Sequence, residues 1–306
     1  MRRLLCALLI AVSAAGCAGV QKTADKGTAA LGEALLPTSE EVKLGNQLAA
    51  DVNKEEKILD NPAVQAYVDK VGQRIVQGAA KDRRSGIKYT FTVIDQPNQV
   101  NAFALPGGHI YVYSGLIKAA DNEAELASVL GHEVGHVTER HAASALGAQF
   151  GLQTLGQLAL GQNPGMVSQL AAGIAAQGYM SRHSRDAERE ADSDGLQYLI
   201  NAGYDPSAMS TFFKKLQRLS GSNPNALEAF FASHPNPGER ATTVAGKARG
   251  KQGKTEIVGG FDQIKAQLGS RPSGSTSKSG STTPKPSGST SGGSTSGGTQ
   301  SMPKPK

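Results

Sequence analysis

The string HEVGH at residues 132–136 constrains this chain more than any other feature of its sequence. Residues four apart lie on one face of an α-helix, so a helix here would present His132 and His136 side by side. Their imidazole nitrogens could bind one metal ion, and Glu133 could then act as a general base on water. The string therefore predicts a helical metal site suited to hydrolysis.

The residues around this string predict one long helix from Asp121 to about Gly147. Asp121 is a candidate N-cap, and acidic residues follow in the first turn, where the helix dipole favours them. On the alternative interpretation, both histidines merely lie on an exposed face. Against that alternative, apolar residues recur at spacings of three and four, which indicates one buried side: Leu126, Val129, Leu130, Val134 and Val137.

A hydrolytic zinc site normally has three protein ligands and one open position, so a third ligand has to be found. His141 falls one residue short of the last histidine in the HExxHxxGxxH pattern, and Glu139 replaces its glycine, so this candidate fails. The other candidate is the helical stretch 185–192, in which Glu188 and Asp192 share a face. Glu188 would bind zinc, and Asp192 would accept the remaining N–H of a ligand histidine.

The same stretch has a competing interpretation as an ordinary solvated helix. Glu190 points to another side of the helix and is the weaker candidate ligand. On the competing interpretation, all the acidic side chains are balanced by neighbouring arginines, and none binds metal. The residues concerned are Asp186, Glu188, Glu190, Asp192 and Asp194, with Arg182, Arg185 and Arg189.

Four motifs occur in order along the chain: NAFALPGGHIYVYSGL at 101–116, HEVGH at 132–136, Glu188 to Asp192, and SHP at 233–235. Together they resemble the gluzincin metallopeptidases, the family that includes the CAAX prenyl protease and the heat-shock protease HtpX. The likeness covers about residues 40–247 and is nearest to periplasmic lipoprotein members of the BepA and LoiP type. It implies a mostly helical α+β, zincin-like fold with an HExxH active-site helix and a small β-sheet.

The resemblance also implies roles for matching positions. Glu133 would be the general base, and Asp192 the supporting carboxylate. His234 matches a family histidine that can occupy the open coordination position and restrain activity. Arg240 matches an arginine that stabilises the oxyanion. One zinc ion per chain would be bound by three ligands: His132, His136 and Glu188.

Two segments bear on substrate binding. Alternating residues from His109 to Tyr113 predict a strand, and an exposed edge of it could pair with an extended substrate backbone. The alternative is an internal strand without a free edge. Residues 142–181 carry no charge, but polar residues, Gly and Pro interrupt every apolar run, so a membrane span is not predicted. This interval is either a helical lid hinged at residues 161–165, as in the family, or two buried helices joined by a turn.

The N-terminus predicts export. Two arginines, a short apolar run and small residues before Cys17 indicate a lipoprotein signal peptide over residues 1–16, with lipid on Cys17. A tether (17–38), a metallopeptidase domain (39–268) and a disordered tail rich in Ser, Thr, Gly and Pro (269–306) would follow. Ala18 favours the periplasmic face of the outer membrane by family-level sorting rules. An ordinary signal peptide releasing a soluble periplasmic protein is the alternative.

Composition excludes several other classes of function. The net charge of +6 is spread along the chain without a basic stripe, so nucleic-acid binding is not expected.

Cys6 would leave with the signal peptide and Cys17 would carry lipid, so neither a disulfide nor a cysteine nucleophile is available. No tetratricopeptide period follows the protease motifs, in contrast to BepA, so any partner in an assembly machinery stays unknown.

These observations predict a zinc-dependent endopeptidase that hydrolyses misfolded or stalled polypeptides of the cell envelope. Its substrates would be unfolded chains, and its contact with the membrane would run through the lipid on Cys17. The alternative is a latent or non-catalytic zinc-binding chaperone or scaffold, in which His234 caps the metal. Glu133 favours the enzyme, because a general base has no duty as a metal ligand.

Overall fold

A computed structural model of the protein describes residues 36–159, 165–177, 183–234 and 237–269. The predicted signal peptide, Cys17, most of the tether and the tail beyond Gly269 lie outside the described residues. So do residues 161–164 of the predicted hinge.

The described residues are mostly helical, with one small sheet. Short 3₁₀ turns at Pro106–Gly108 and Pro224–Leu227 join neighbouring elements. The strands are β1 Thr90–Ile94, β2 Ala102–Leu105 and β3 His109–Tyr113. The helices are α1 Thr38–Glu55, α2 Pro62–Gly78, α3 Ser114–Ala119, α4 Glu123–Thr138, α5 His141–Ala159, α6 Met166–Gln177, α7 Arg185–Asn201, α8 Ser207–Ser222, α9 Glu228–Ser233, α10 Pro237–Ala248 and α11 Phe261–Gln267. This composition and the helical HExxH string confirm the predicted zincin-like fold class.

The sheet corrects the prediction of a free edge at His109–Tyr113. Its strand order is β1-β3-β2, with β1 parallel and β2 antiparallel to β3, so β3 is the central strand. Gly107 (φ 76°) and Gly108 (φ 93°) adopt left-handed backbone conformations that turn β2 back onto β3. The free edge beside the metal helix therefore belongs to β2, a strand that was not predicted.

The sheet separates two hydrophobic clusters. Ile110 and Val112 of β3 face the larger cluster, which contains apolar residues of α2, α4, α7, α8 and α10. Tyr111 and Tyr113, alternating with them, face a smaller cluster formed with α1, α5 and α6. Helices α5 and α6 thus pack on the second face of the sheet. No helix among the described residues is long and apolar enough to cross a membrane.

The long helix predicted for 121–147 is in fact two helices. Asn122, not Asp121, caps α4, because its side chain accepts the Glu125 backbone N–H at 3.0 Å. The helix ends at Thr138, and Arg140 adopts a left-handed conformation (φ 58°) before α5 begins. In that conformation the Arg140 guanidinium reaches the buried carboxylate of Glu41 on α1. The break between α4 and α5 thus coincides with an ion pair between residues far apart in the sequence.

Candidate metal centre

Helices α4 and α7 pack closely enough for their backbones to touch. A Cβ atom on Gly195 would lie 2.7 Å from the backbone N of His132, and one on Gly131 would lie 2.9 Å from the Gly195 carbonyl oxygen. One turn further on, a Cβ on Gly135 would lie 2.9 Å from the carbonyl oxygen of Ala191. Glycine at these positions therefore lets side chains of both helices converge on one point.

Four buried side chains converge there: His132, His136, Glu188 and His234. The Nε2 atoms of His132 and His136 lie 3.0 Å apart, and His136 Nε2 lies 3.3 Å from Glu188 Oε1. His234 Nδ1 lies 3.0 Å from Glu188 Oε1 and 3.3 Å from His132 Nε2. One ligand atom from each residue lies within 4.8 Å of the others, so this group can hold a metal ion.

Glu188 interacts with two histidines of the group. Burial would raise its pKa, but the charge of His234 and hydrogen bonds with His136 and His234 lower it far below the ordinary value. Burial lowers the pKa of His136 in turn, with a further contribution from His183. These directions favour an ionised Glu188 carboxylate and a neutral His136 imidazole, and metal binding requires these states of the two residues.

Asp192 lies one turn beyond Glu188 on α7, behind the metal-facing side of His132. Its Oδ1 is 2.9 Å from His132 Nδ1. Arg240 of α10 donates from Nε to Asp192 Oδ2 and from Nη2 to Oδ1, both at 2.7 Å. Burial would raise the pKa of Asp192, but these bonds lower it. Asp192 thus stays ionised and can hold the His132 ring.

Arg240 is itself buried in this group. Its guanidinium contacts Glu188 through Nη1 and lies over the Phe213 ring, 4.5 Å from the centroid. The structure therefore brings Arg240 to the metal centre, on the side of Glu188 and Asp192.

Glu133 is buried next to the metal group but lies outside it. Neither of its carboxylate oxygens has a hydrogen-bond partner within the described part of the chain. Oε1 lies 3.5 Å from His234 Nε2. Burial raises the pKa of Glu133, with the charges of His234 and His132 opposing the rise. The carboxylate is therefore available to accept a proton at a site shielded from bulk water.

His234 follows the last residue of the short helix α9. Its backbone N–H donates to the Phe230 carbonyl at 2.7 Å, and its ring lies 5.0 Å from the Phe230 ring. Burial would lower its pKa, but Glu188 and Glu133 raise it. The structure thus brings the histidine of the SHP motif into the same group as the two HExxH histidines.

His136 has two further histidine neighbours. His141 Nδ1 lies 2.7 Å from His136 Nδ1, and the His183 ring stacks on the His136 ring with centroids 3.9 Å apart. His141 stands outside the four-residue group. His183 was not predicted from the sequence. This residue directly precedes Ser184, the N-cap of α7, so it lies outside the helix and helix spacing does not relate it to the metal ligands.

A cleft lies next to the metal group and β2. Its lining is mainly apolar and comes from α1, β2, α5 and α6, together with two histidines. The lining includes Leu48, Phe103, Leu105, Leu146, Ile174, His183 and His234.

Relatives with curated names share much of this chain. The β-barrel assembly-enhancing protease of Escherichia coli (strain K12) is 32% identical over 237 residues, covering 73% of this chain and 46% of that protein. The mitochondrial metalloendopeptidase OMA1 of Arabidopsis thaliana is 35% identical over 195 residues, covering 63% of this chain and 38% of that protein. The chain thus spans less than half the length of these two relatives.

A third relative is similar to this chain over nearly the whole length of the relative. Metalloprotease YcaL of Escherichia coli (strain K12) is 29% identical over 251 residues, covering 78% of this chain and 94% of that protein. Residues 62–248 match the sequence profile of Peptidase family M48. The matched range includes the HEVGH string, Glu188, Asp192, His234 and Arg240. The chain therefore belongs to Peptidase family M48.

Proposed function

We propose that this protein is a zinc-dependent endopeptidase. The observation that carries the proposal is Glu133, a buried carboxylate with no hydrogen-bond partner among the described residues, next to a four-residue metal group. A carboxylate that makes no hydrogen bond is costly to bury. Its position next to the metal group supports the role of Glu133 as general base.

The spacing of the ligand atoms supports zinc as the metal. Zinc binds imidazole nitrogen at about 2.0–2.1 Å and prefers a tetrahedron, whose neighbouring ligand atoms lie roughly 3.4 Å apart. Four of the six separations between the ligand atoms are 3.0 to 3.3 Å, close to that value, and all six are within 4.8 Å. We propose His132, His136 and Glu188 as ligands of one zinc ion.

Zinc, when bound, supplies a Lewis acid that polarises the scissile carbonyl and makes water more acidic. Glu133 then takes a proton from the attacking water and returns it to the leaving amine. Asp192 keeps the His132 ring oriented through its Nδ1–H. In this proposal Arg240 helps to stabilise the developing oxyanion, as its counterpart does in the family.

The cleft beside β2 supports an extended polypeptide as substrate. The free edge of β2 offers backbone groups that can pair with a substrate strand, and the apolar lining can receive its side chains. Segments of folded proteins rarely present a free extended backbone. We therefore propose unfolded or misfolded polypeptides as substrates.

We further propose that these substrates belong to the bacterial cell envelope. The protein would act at the periplasmic face of the outer membrane, held by lipid on Cys17. This part rests on the sequence before Cys17 and on similarity to a relative named a β-barrel assembly-enhancing protease.

His234 favours a second candidate, a latent form of the enzyme or a non-catalytic binding module. Its Nδ1 completes the group of four ligand atoms, which is the position that substrate or water needs in a catalytic site. While His234 holds that position, Glu133 has no water to activate. Latency would end when His234 leaves the metal.

Cleavage of casein by purified, zinc-loaded protein tests the proposal, with Glu133→Gln and His234→Ala as variants. We expect cleavage by wild type or by His234→Ala, and none by Glu133→Gln. Faster cleavage by His234→Ala than by wild type would identify a latent enzyme. If all three proteins bind zinc and none cleaves, the binding module replaces the enzyme. Equal cleavage by Glu133→Gln and wild type would remove Glu133 as the base.

A further inference from the structure

The two HExxH histidines differ in what lies behind them. His132 is backed by Asp192, an ionised carboxylate held by Arg240. His136 is backed by a second histidine, because its Nδ1 lies 2.7 Å from Nδ1 of His141. His141 Nε2 in turn lies 3.2 Å from Oε2 of Glu190. The chain His136–His141–Glu190 runs from the metal group towards the surface, where the Glu190 side chain is 61% exposed.

The direction of the hydrogen bonds in this chain follows from the ligand atom of His136. His136 turns Nε2 towards His132 and Glu188, so this nitrogen needs a free lone pair to bind a metal. Its proton then lies on Nδ1 and is donated to His141 Nδ1. A neutral His141 that accepts at Nδ1 carries its own proton on Nε2 and donates it to Glu190. Each nitrogen of His141 therefore has one defined role.

We propose that His141 is a positioning residue for the metal, and that Glu190 supports it. His141 fixes the tautomer and the ring angle of His136, as a carboxylate does for a metal-bound histidine in other sites. His141 is 5% exposed, and the break at Arg140 starts the new helix α5 at His141. The break gives His141 a backbone direction that one continuous helix would not.

This inference rests on the proposed metal site but not on the proposed peptidase reaction. His141 and Glu190 touch neither the metal group's fourth position nor the general base in the contacts described above. Their effect should therefore appear in metal binding itself. A failure of the casein assay would leave the inference intact, because metal affinity can be measured without turnover.

Zinc affinity tests the role, measured by competition with a chromophoric chelator on the purified full-length protein. His141→Phe keeps a ring but removes the acceptor, and we expect zinc affinity to fall about 10–100-fold. His141→Asn places an acceptor oxygen near the former Nδ1 and should recover most of that loss. Glu190→Ala should weaken binding less than His141→Phe, because the Glu190 contact is at the surface. Glu190→Gln retains a carbonyl acceptor and should bind zinc like wild type.

The visible spectrum of cobalt-substituted protein gives a second readout, which a purely structural role would not change. We expect His141→Phe to change the cobalt absorption bands and His141→Asn to restore them. Urea unfolding of the metal-free proteins identifies any variant that fails to fold. If His141→Phe fails to fold, the zinc affinities of His141→Asn and the two Glu190 variants test the proposal instead. Wild-type zinc affinity and an unchanged cobalt spectrum in His141→Phe would overturn the proposal. So would equal losses in His141→Phe and His141→Asn. Wild-type protein that binds no zinc would overturn the metal site and this role with it.

Discussion

Glu123, the first residue of α4, shows how one side chain can hold distant segments together. It is fully buried and accepts hydrogen bonds from the Tyr67 and Tyr204 hydroxyls, each at 2.6 Å. Three backbone N–H groups of residues 257–259 also donate to it, at 2.8 to 3.1 Å. Burial would raise the pKa of Glu123, but the tyrosine and backbone bonds lower it below the ordinary value. The ionised carboxylate thus ties the segment before α11 to the metal helix.

We expect Glu123→Gln to lower the free energy of unfolding at pH 7 by about 1.5–3 kcal/mol, because hydrogen bonds to a charged group are lost. The pKa of Glu123 is lower in the folded state than in the unfolded chain. Its contribution to stability is therefore fully present above the unfolded pKa of about 4.3 and is lost as pH falls through the folded pKa. Urea unfolding at pH 7 and pH 3.5 checks this: the variant should lose less stability between the two pH values than wild type. An equal loss in both proteins would contradict the assignment.

The crossing of α4 and α7 is the contact between elements on which the metal centre depends. Three of the four metal-binding candidates lie on these two helices, and the fourth, His234, approaches from the end of α9. Because Gly131 and Gly195 have no side chains, the two backbones meet directly. A side chain at either position would have to push the helices apart, and with them the histidines from Glu188.

We expect Gly195→Ala to lower both stability and zinc affinity. Its Cβ would lie 2.7 Å from the His132 backbone N, and overpacking of this kind typically costs about 1–3 kcal/mol. Gly246→Ala is the matched control, because this exposed glycine of α10 has open space where a Cβ would go. The control should raise stability by about 0.4–1 kcal/mol. Urea unfolding and chelator competition measure both effects. Gly195→Ala with wild-type zinc affinity would show that the helices can part without disturbing the ligands.

At the scale of the molecule, the described residues form a large and a small hydrophobic cluster on opposite faces of the sheet. The metal helices α4 and α7 belong to the larger cluster, whereas α5 and α6 contribute to the smaller one. Inside α5, Gly151 has non-helical dihedral angles (φ 77°, ψ 163°), so the helix consists of two shorter pieces. Fewer buried contacts and shorter helical runs lower the free energy of local opening.

We therefore expect backbone amides of α5 and α6 to exchange with solvent faster than those of α4 and α7. Native-state hydrogen exchange followed by mass spectrometry measures the difference. Since α5 and α6 contribute to the lining of the cleft beside β2, their opening would also widen access to the metal group. Equal protection in all four helices would mean that both clusters unfold as one cooperative unit.

Local spacing was enough to predict much of the metal centre. Four-residue spacing relates His132 to His136, and likewise Glu188 to Asp192, so helix geometry alone aligns each pair. The four ordered motifs were enough to predict the family and the fold class, which the profile match and the helical structure confirm. The roles assigned to individual residues, the domain limits and the lipid anchor stay predictions.

Other features depend on contacts between distant segments and could not be predicted from local pattern. The central place of β3 follows from its pairing with β2 on one side and β1 on the other, and a strand pattern specifies no neighbours. The end of α4 at Thr138 accompanies the ion pair of Arg140 with Glu41, 99 residues away in the chain. The contact of His141 with Glu190 spans 49 residues. Helix periodicity acts within a few residues, but only packing of the folded chain determines which side chains meet behind a metal ligand.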